Sequence, residues 1–251
     1  MADIHRYAWR DAAGRITSLM DSENYVVTRY GIRGFADTTD ERTLIPGKRV
    51  QLVAGCTAKA RELGFTVLII GGSAADVQEK RDRLLRIFSQ PGTLIIHTGI
   101  RELSIGCYCA RGSPDIADGI APDATSQKVA LTLIAPDPYF YGEEMTVSLN
   151  DGMSVQSVYN PGTADLTPCT LVLSENAATN VTAGQTMQAL EGQTVAGASV
   201  TVTDTGISAT LDDANVIGRF TYDSAFWMLV PGFNVLEGVA SVRFRPRWMG
   251  V

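Results

Sequence analysis

Apolar and polar positions alternate along most of this chain with a period of two, and the one clear departure is short. Four apolar residues at 67–70 run into Gly71 and Gly72, and from residue 74 the spacing becomes helical. Val77, Arg81, Leu84, Leu85 and Phe88 then share one face, against Gln78, Lys80, Asp82, Arg83 and Arg86 on the other. Ser73 stands where an N-cap belongs, and Asp76, three positions on, favours the positive end of the helix dipole. The pattern predicts a strand, a glycine turn and a single helix over about 74–89.

After the Pro91-Gly92 turn the period of two returns. Strands are predicted through "GTLIIHTG" and "RELSIGCYCARG", a surface loop over 114–125, and a further strand that puts Val129, Leu131 and Leu133 on one face. That strand must stop at Pro136 and Pro138, because proline lacks a backbone donor and restricts the residue before it. From about residue 145 the composition shifts toward Thr, Val, Ala, Gly and Asn. Short strands are predicted at 170–174, 198–203, 207–211, 216–222, 226–230 and 240–244, with turn signals between them. The fold class is mainly β: an α+β N-terminal domain with one helix over 1–142, then a β-sandwich over 143–239. Residues 240–251 are a candidate for completing the first domain. Pro231, Gly232 and Asn234 read as a turn that returns the last strand.

Charge narrows the partners. The 251 residues carry a net charge of -6 and a pI near 5.0, which gives no general attraction to nucleic acid. No apolar run approaches the ~20 residues of a membrane helix, and the charged amino terminus does not read as a signal peptide, which points to synthesis in a cytosol. One local exception is "SVRFRPRWMGV", where Arg243, Arg245 and Arg247 alternate with Val242, Phe244, Pro246 and Trp248. Such a cationic stripe suits a contact with another protein, the charged edge strand that deters aggregation, or a nucleic-acid backbone, and all three readings stay open here.

Candidate chemistry is sparse. The glycine pair before the helix lacks both G-x-G-x-x-G and a lysine before Ser or Thr, so a phosphate site is the weaker reading. Cys56, Cys107, Cys109 and Cys169 have neither C-x-x-C spacing nor the density of a disulfide scaffold and read as reduced. Cys107 and Cys109 flank Tyr108, so on a strand both thiols point one way, as small buried hydrophobes rather than metal ligands. Only His5 and His97 are available for acid-base work. The paired acids Glu143-Glu144 and Asp212-Asp213 would point to opposite faces of a strand, which argues against a glycosidase dyad. Trp227, Tyr222 and Asn215 are the candidates for stacking and bonding a sugar.

Three stretches together resemble the distal tail proteins of long-tailed phages with non-contractile tails. The first, at 60–112, has that family's order of strand, helix, Pro-Gly turn and strand pair. The second is "LTLIAPDPYFYG", ending in Asp137-Pro138 followed by Tyr139, Phe140 and Tyr141. The third is "YNPGTADLTPCTLVL" followed by "FWMLVPGFNVLEG" and the arginine strand, similar to the family's Asn-x-Gly-Thr, Pro-Gly-x-Asn and final basic and aromatic strand. The N-terminal 60 residues match least. The resemblance implies a structural virion protein of the tail tip, not an enzyme and without cofactor or metal. Its N-terminal domain would form a hexameric ring around a DNA channel, between the tail tube protein and the tail-tip or baseplate hub. DNA would pass without specific binding, no membrane would be entered, and the second domain would be a galectin-like β-sandwich. The Tyr139 region would fill the joint between domains. The alternative is a carbohydrate-binding module contacting the host surface.

Overall fold

A computed structural model describes residues 6–31, 38–44, 51–116, 123–149 and 155–251. His5, the Pro46-Gly47 turn and the side chain of Cys56 lie outside the described residues. The chain divides into two compact units: Met1–Phe140 with Met249–Val251, and Tyr141–Trp248. Of the segment 240–251, only the last three residues belong to the first unit.

The first unit is one antiparallel path of strands in the order Ile16–Ser18, Arg6–Asp11, Gly92–His97, Glu102–Cys109, Ser126–Ala135, Arg61–Ile70, Tyr25–Gly31 and Met20–Asp21. Its longest pairing sets Leu133 opposite Leu63, Leu131 opposite Phe65 and Val129 opposite Val67. All six are buried, and at about 2 kcal/mol for each large apolar side chain removed from water this one strand pair anchors the core. The path folds back on itself: Leu19 donates its N–H to the Tyr7 carbonyl at 2.8 Å, and Tyr7 meets Phe65 edge-on with ring centroids 5.7 Å apart. The helix Ala74–Phe88 lays Val77, Leu84 and Phe88 into this core, where Phe88 lies 4.6 Å from the Trp9 ring. Gly92 makes room for that indole, since a Cβ there would fall 2.5 Å from Trp9. Within the expected loop at 114–125, Asp115–Ile116 pairs with Val129 and Ala130, because the neighbouring strand still has an open edge. Thr38–Leu44 and Gln51–Ala58 form a separate two-stranded ribbon.

The second unit is a two-sheet β-sandwich. One sheet runs Met145–Ser148, Val239–Phe244, Cys169–Leu173, Ser199–Thr203, Gly206–Leu211, Ala214–Asn215, and the other Gln156–Asn160, Gly232–Glu237, Ala177–Asn180, Gln185–Gln188. Inward positions from both supply one core that includes Val158, Leu171, Met187, Val200, Trp227, Leu236 and Val242. The mainly-β expectation holds, with two local corrections. Residues 216–222 are not a strand but hold a 3₁₀ turn at Ile217–Arg219, and 226–230 contributes only the bridge from Leu229 to Thr167. The strand lies just beyond, at Gly232–Glu237, where Gly232 and Asn234 disguise it as turn.

Candidate assembly surface

The turn into the helix accounts for its glycines without a ligand. Ser73 accepts the Asp76 N–H at 3.3 Å, and the Asp76 carboxylate reaches back to the Gly72 N–H at 2.9 Å, a reciprocal cap. That amide, followed by Lys80 at 3.1 Å, holds the Asp76 carboxyl below the ordinary value. A Cβ on Gly71 would sit 2.8 Å from the Val77 side chain, so Gly71 is required by close approach to the first helical turn, whereas Gly72 has open space. The amide that an anion would need is already occupied by Asp76.

At the other candidate turn the strand ends at Ala135, and Asp137 accepts the Tyr139 N–H at 3.2 Å while Pro138 is buried and Tyr139 half-buried. Phe140 is fully buried in the first unit, with the Arg61 guanidinium 4.8 Å from its ring. Arg61 also donates to the Met249 carbonyl, so this buried cation holds the chain terminus to the first unit. Nothing in the spacing of the sequence marks Arg61 for that task.

The motifs at 160–163 and 231–234 meet in a buried amide cluster. Asn234 accepts the Val230 N–H at 3.0 Å and donates to the carbonyls of Val230 (2.9 Å) and Gly232 (3.2 Å), and Gly232 takes a φ of 85° that favours glycine. Asn160 donates to the same Val230 carbonyl at 3.2 Å and to Thr167 at 3.1 Å, and accepts the Gly162 N–H at 3.0 Å. The next amides, Thr163 and Ala164, donate to the Arg247 carbonyl at 2.8 and 3.1 Å, and a Cβ on Gly162 would lie 2.5 Å from that oxygen. Gly232 and Asn234 are therefore parts of one clasp on the final strand segment, together with Asn160 and Thr167, which the turn reading missed, while Pro231 stays exposed beside it. The signal was present in Asn-x-Gly-Thr, whose asparagine is fully buried.

The arginine stripe divides. Arg243 and Arg245 are exposed, but Arg247 is only 5 % exposed: it pairs with Asp204 and donates to the Tyr141 hydroxyl at 3.0 Å. Arg245 donates to the Gly142 carbonyl at 3.1 Å, and both guanidinium groups lie over Tyr141, at 5.7 Å for Arg245 and 5.4 Å for Arg247. The strand is not an edge either, since Arg243 lies between Thr146 and Thr170 on flanking strands. Strict alternation fails after Phe244 because the strand ends there, before Pro246, and the chain reorients. Arg243 and Arg245 lie at the surface, the latter anchored on Gly142 and Tyr141; Arg247 braces the fold.

The remaining chemical candidates do not converge. Burial pushes the Cys107 and Cys169 thiols up to about 12, leaving them as inert thiols in the core. His97 pairs across the strands with Glu102 at 3.3 Å. Asp212 and Asp213 occupy a two-residue hairpin loop, both at positive φ, between paired Leu211 and Ala214. Among the described residues no group of three His, Cys, Asp or Glu side chains could hold a metal ion. Trp227 is buried in the sandwich core, Tyr222 is fully exposed, and Asn215 accepts the Ile217 N–H at 3.0 Å, so these three form no common sugar platform.

No protein-family model matches the chain, and no curated protein matches it in sequence. Solved structures do match. The Dit (gp 19.1) protein of phage SPP1, described as a paradigm of the hub adsorption apparatus in phages infecting Gram-positive bacteria, aligns with a TM-score of 0.66 at 18 % identity. The alignment covers 97 % of this chain and 99 % of that one. The chain has the fold of a phage distal tail protein. Two chains from the baseplate of phage p2 in its activated conformation, one with Sr and one with Ca, align at a TM-score of 0.50 with 9 % and 8 % identity. They cover 97 % and 98 % of this chain and 98 % of each of their own. The distal-tail-protein fold thus extends through both units, and the resemblance seen in the motifs holds at the level of fold.

Proposed function

We propose that this protein is a non-enzymatic structural component of a phage tail tip, a distal tail protein whose copies form a hexameric ring joining the tail tube to the tail-tip or baseplate hub and leaving a channel for DNA. The observation that carries this reading is the end-to-end agreement in fold with SPP1 Dit, which includes both units in a single alignment. The site chemistry agrees with it. The motif residues are engaged in bracing turns and strand ends, and the exposed Arg243 and Arg245 supply a cationic patch for a neighbouring subunit on an acidic protein. Negative-stain images and mass photometry of the purified protein test the proposal. A sixfold ring with a central hole is the expected result; monomers at every concentration, also after mixing with the tail tube protein, would overturn it.

One observation favours a second role for the sandwich. Tyr159 and Phe233, opposite each other on adjacent strands, are 53 % and 66 % exposed with ring centroids 5.0 Å apart. An exposed aromatic pair is a surface on which a sugar ring can stack. A glycan array separates the two roles: signal lost on Tyr159→Ala supports glycan contact, and no binder above background leaves the structural role alone.

A further inference from the structure

Between the first hairpin and the last two turns of the helix lies an open groove of about 610 Å³. Its floor is apolar, from Ala12, Ile16 and Ile87, and its rim is basic, from Arg15, Arg83 and Arg86. Ile16 is 63 % exposed although its neighbours pair in a strand, so the groove keeps an aliphatic side chain facing water. The acid at the rim is already engaged. Asp11 accepts the N–H groups of Ala13 and Arg15 at 2.9 Å each and the Arg15 side chain at 2.8 Å, which neutralises Arg15. Arg83 and Arg86, three positions apart and exposed, make no ion pair among the described residues. Two guanidinium groups that make no ion pair among the described residues therefore line one groove on a protein whose net charge is -6.

We propose that this groove is the docking site for an acidic segment of a partner protein that carries an aliphatic side chain. Charge complementarity selects the occupant's sign: paired guanidinium forks on adjacent helical turns match carboxylates in geometry as well as charge. The aliphatic floor selects its class. A phosphate backbone would satisfy the arginines but offers nothing to bury against Ile16 and Ile87, whereas a leucine or isoleucine between acids satisfies both parts. The site is independent of the ring. A protein that forms no ring can still bind the segment, and the double arginine reversal is expected to weaken docking whether or not rings form.

Fluorescence anisotropy on the full-length protein tests this with a labelled dodecapeptide, three repeats of Glu-Asp-Leu-Glu. Saturable binding is expected at low salt, weakened at least about tenfold by Arg83→Glu with Arg86→Glu and weakened again at high salt. Ile16→Ser is expected to weaken it while leaving the salt dependence unchanged. Should the double reversal not fold, as judged by circular dichroism, Arg83→Gln with Arg86→Gln provides the same readout with a smaller loss. Three results would each overturn the proposal: equal binding by the arginine variants, equal binding of the amide peptide Gln-Asn-Leu-Gln in three repeats, or tighter binding of a labelled DNA duplex than of the acidic peptide.

Discussion

In the first unit, long strands and one helix close mainly on apolar contact, with Trp9, Leu63, Phe65, Val67, Leu84 and Phe88 all buried and Arg61 its one buried cation among the described residues, while in the second the short strands close around a cluster of polar groups as well: Asn160, Thr167 and Asn234 are fully buried and Arg247 nearly so. The difference follows from strand length. A ten-residue pairing such as Arg61–Ile70 with Ser126–Ala135 satisfies its own backbone over its full length, and its inward side chains need only be large and apolar. Strands of four or five residues leave more backbone in turns. At 160–163 and 230–234 that backbone turns beside the fully buried Asn160 and Asn234, whose side chains supply the missing partners.

The contrast can be broken by substitution, beginning with its apolar side. Trp9→Ala empties the space beside Phe88 that Gly92 keeps open, and a loss of about 3–5 kcal/mol is expected from denaturant unfolding of the first unit. A loss below about 1 kcal/mol would mean the indole is not what closes that core.

Asn234→Ala tests the polar side. It strips the Val230 N–H of its partner inside the sandwich and removes one of two amides from the Val230 carbonyl, for an expected cost of about 2–3 kcal/mol. If the melting temperature of the second unit stays at the wild-type value, the amide cluster is dispensable and the contrast between the units fails.

The smallest effects divide the arginine stripe. Arg247→Gln is expected to cost about 1–2 kcal/mol, less than for a fully buried pair because Asp204 is half in water. Arg243→Gln with Arg245→Gln should leave stability within about 0.5 kcal/mol of wild type yet lower the yield of rings, a deficit that narrows as salt screens the wild-type contact and lowers its ring yield as well. Rings at undiminished yield from that double variant would remove these two residues from the interface.

The helix at Ala74–Phe88 was legible because its determinants are local: a capping serine, an acid three positions on, and apolar residues at helical spacing need no distant partner to show themselves. The inward face at Val129, Leu131 and Leu133 was legible for the same reason. Gly232–Glu237 was not, because a fully buried asparagine in a strand resembles a turn residue until the Val230 groups it serves come into view. The expected joint at Asp137, Pro138 and Tyr139 was readable as a strand stop, but the buried Arg61 beside Phe140 was not, since its partners lie far along the chain.

By itself the amino-acid order determined the mainly-β class, the single capped helix and the kinship in fold with distal tail proteins, all of which rest on periodicity, turn chemistry and motif order within short windows. Only the tertiary structure decided that Arg247 turns inward to Asp204 and Tyr141 while Arg243 stays at the surface. It also decided that Arg83 and Arg86 overlook the exposed Ile16. Residues brought together from remote positions exchange water for one another, and that exchange leaves no local trace in the order of the chain.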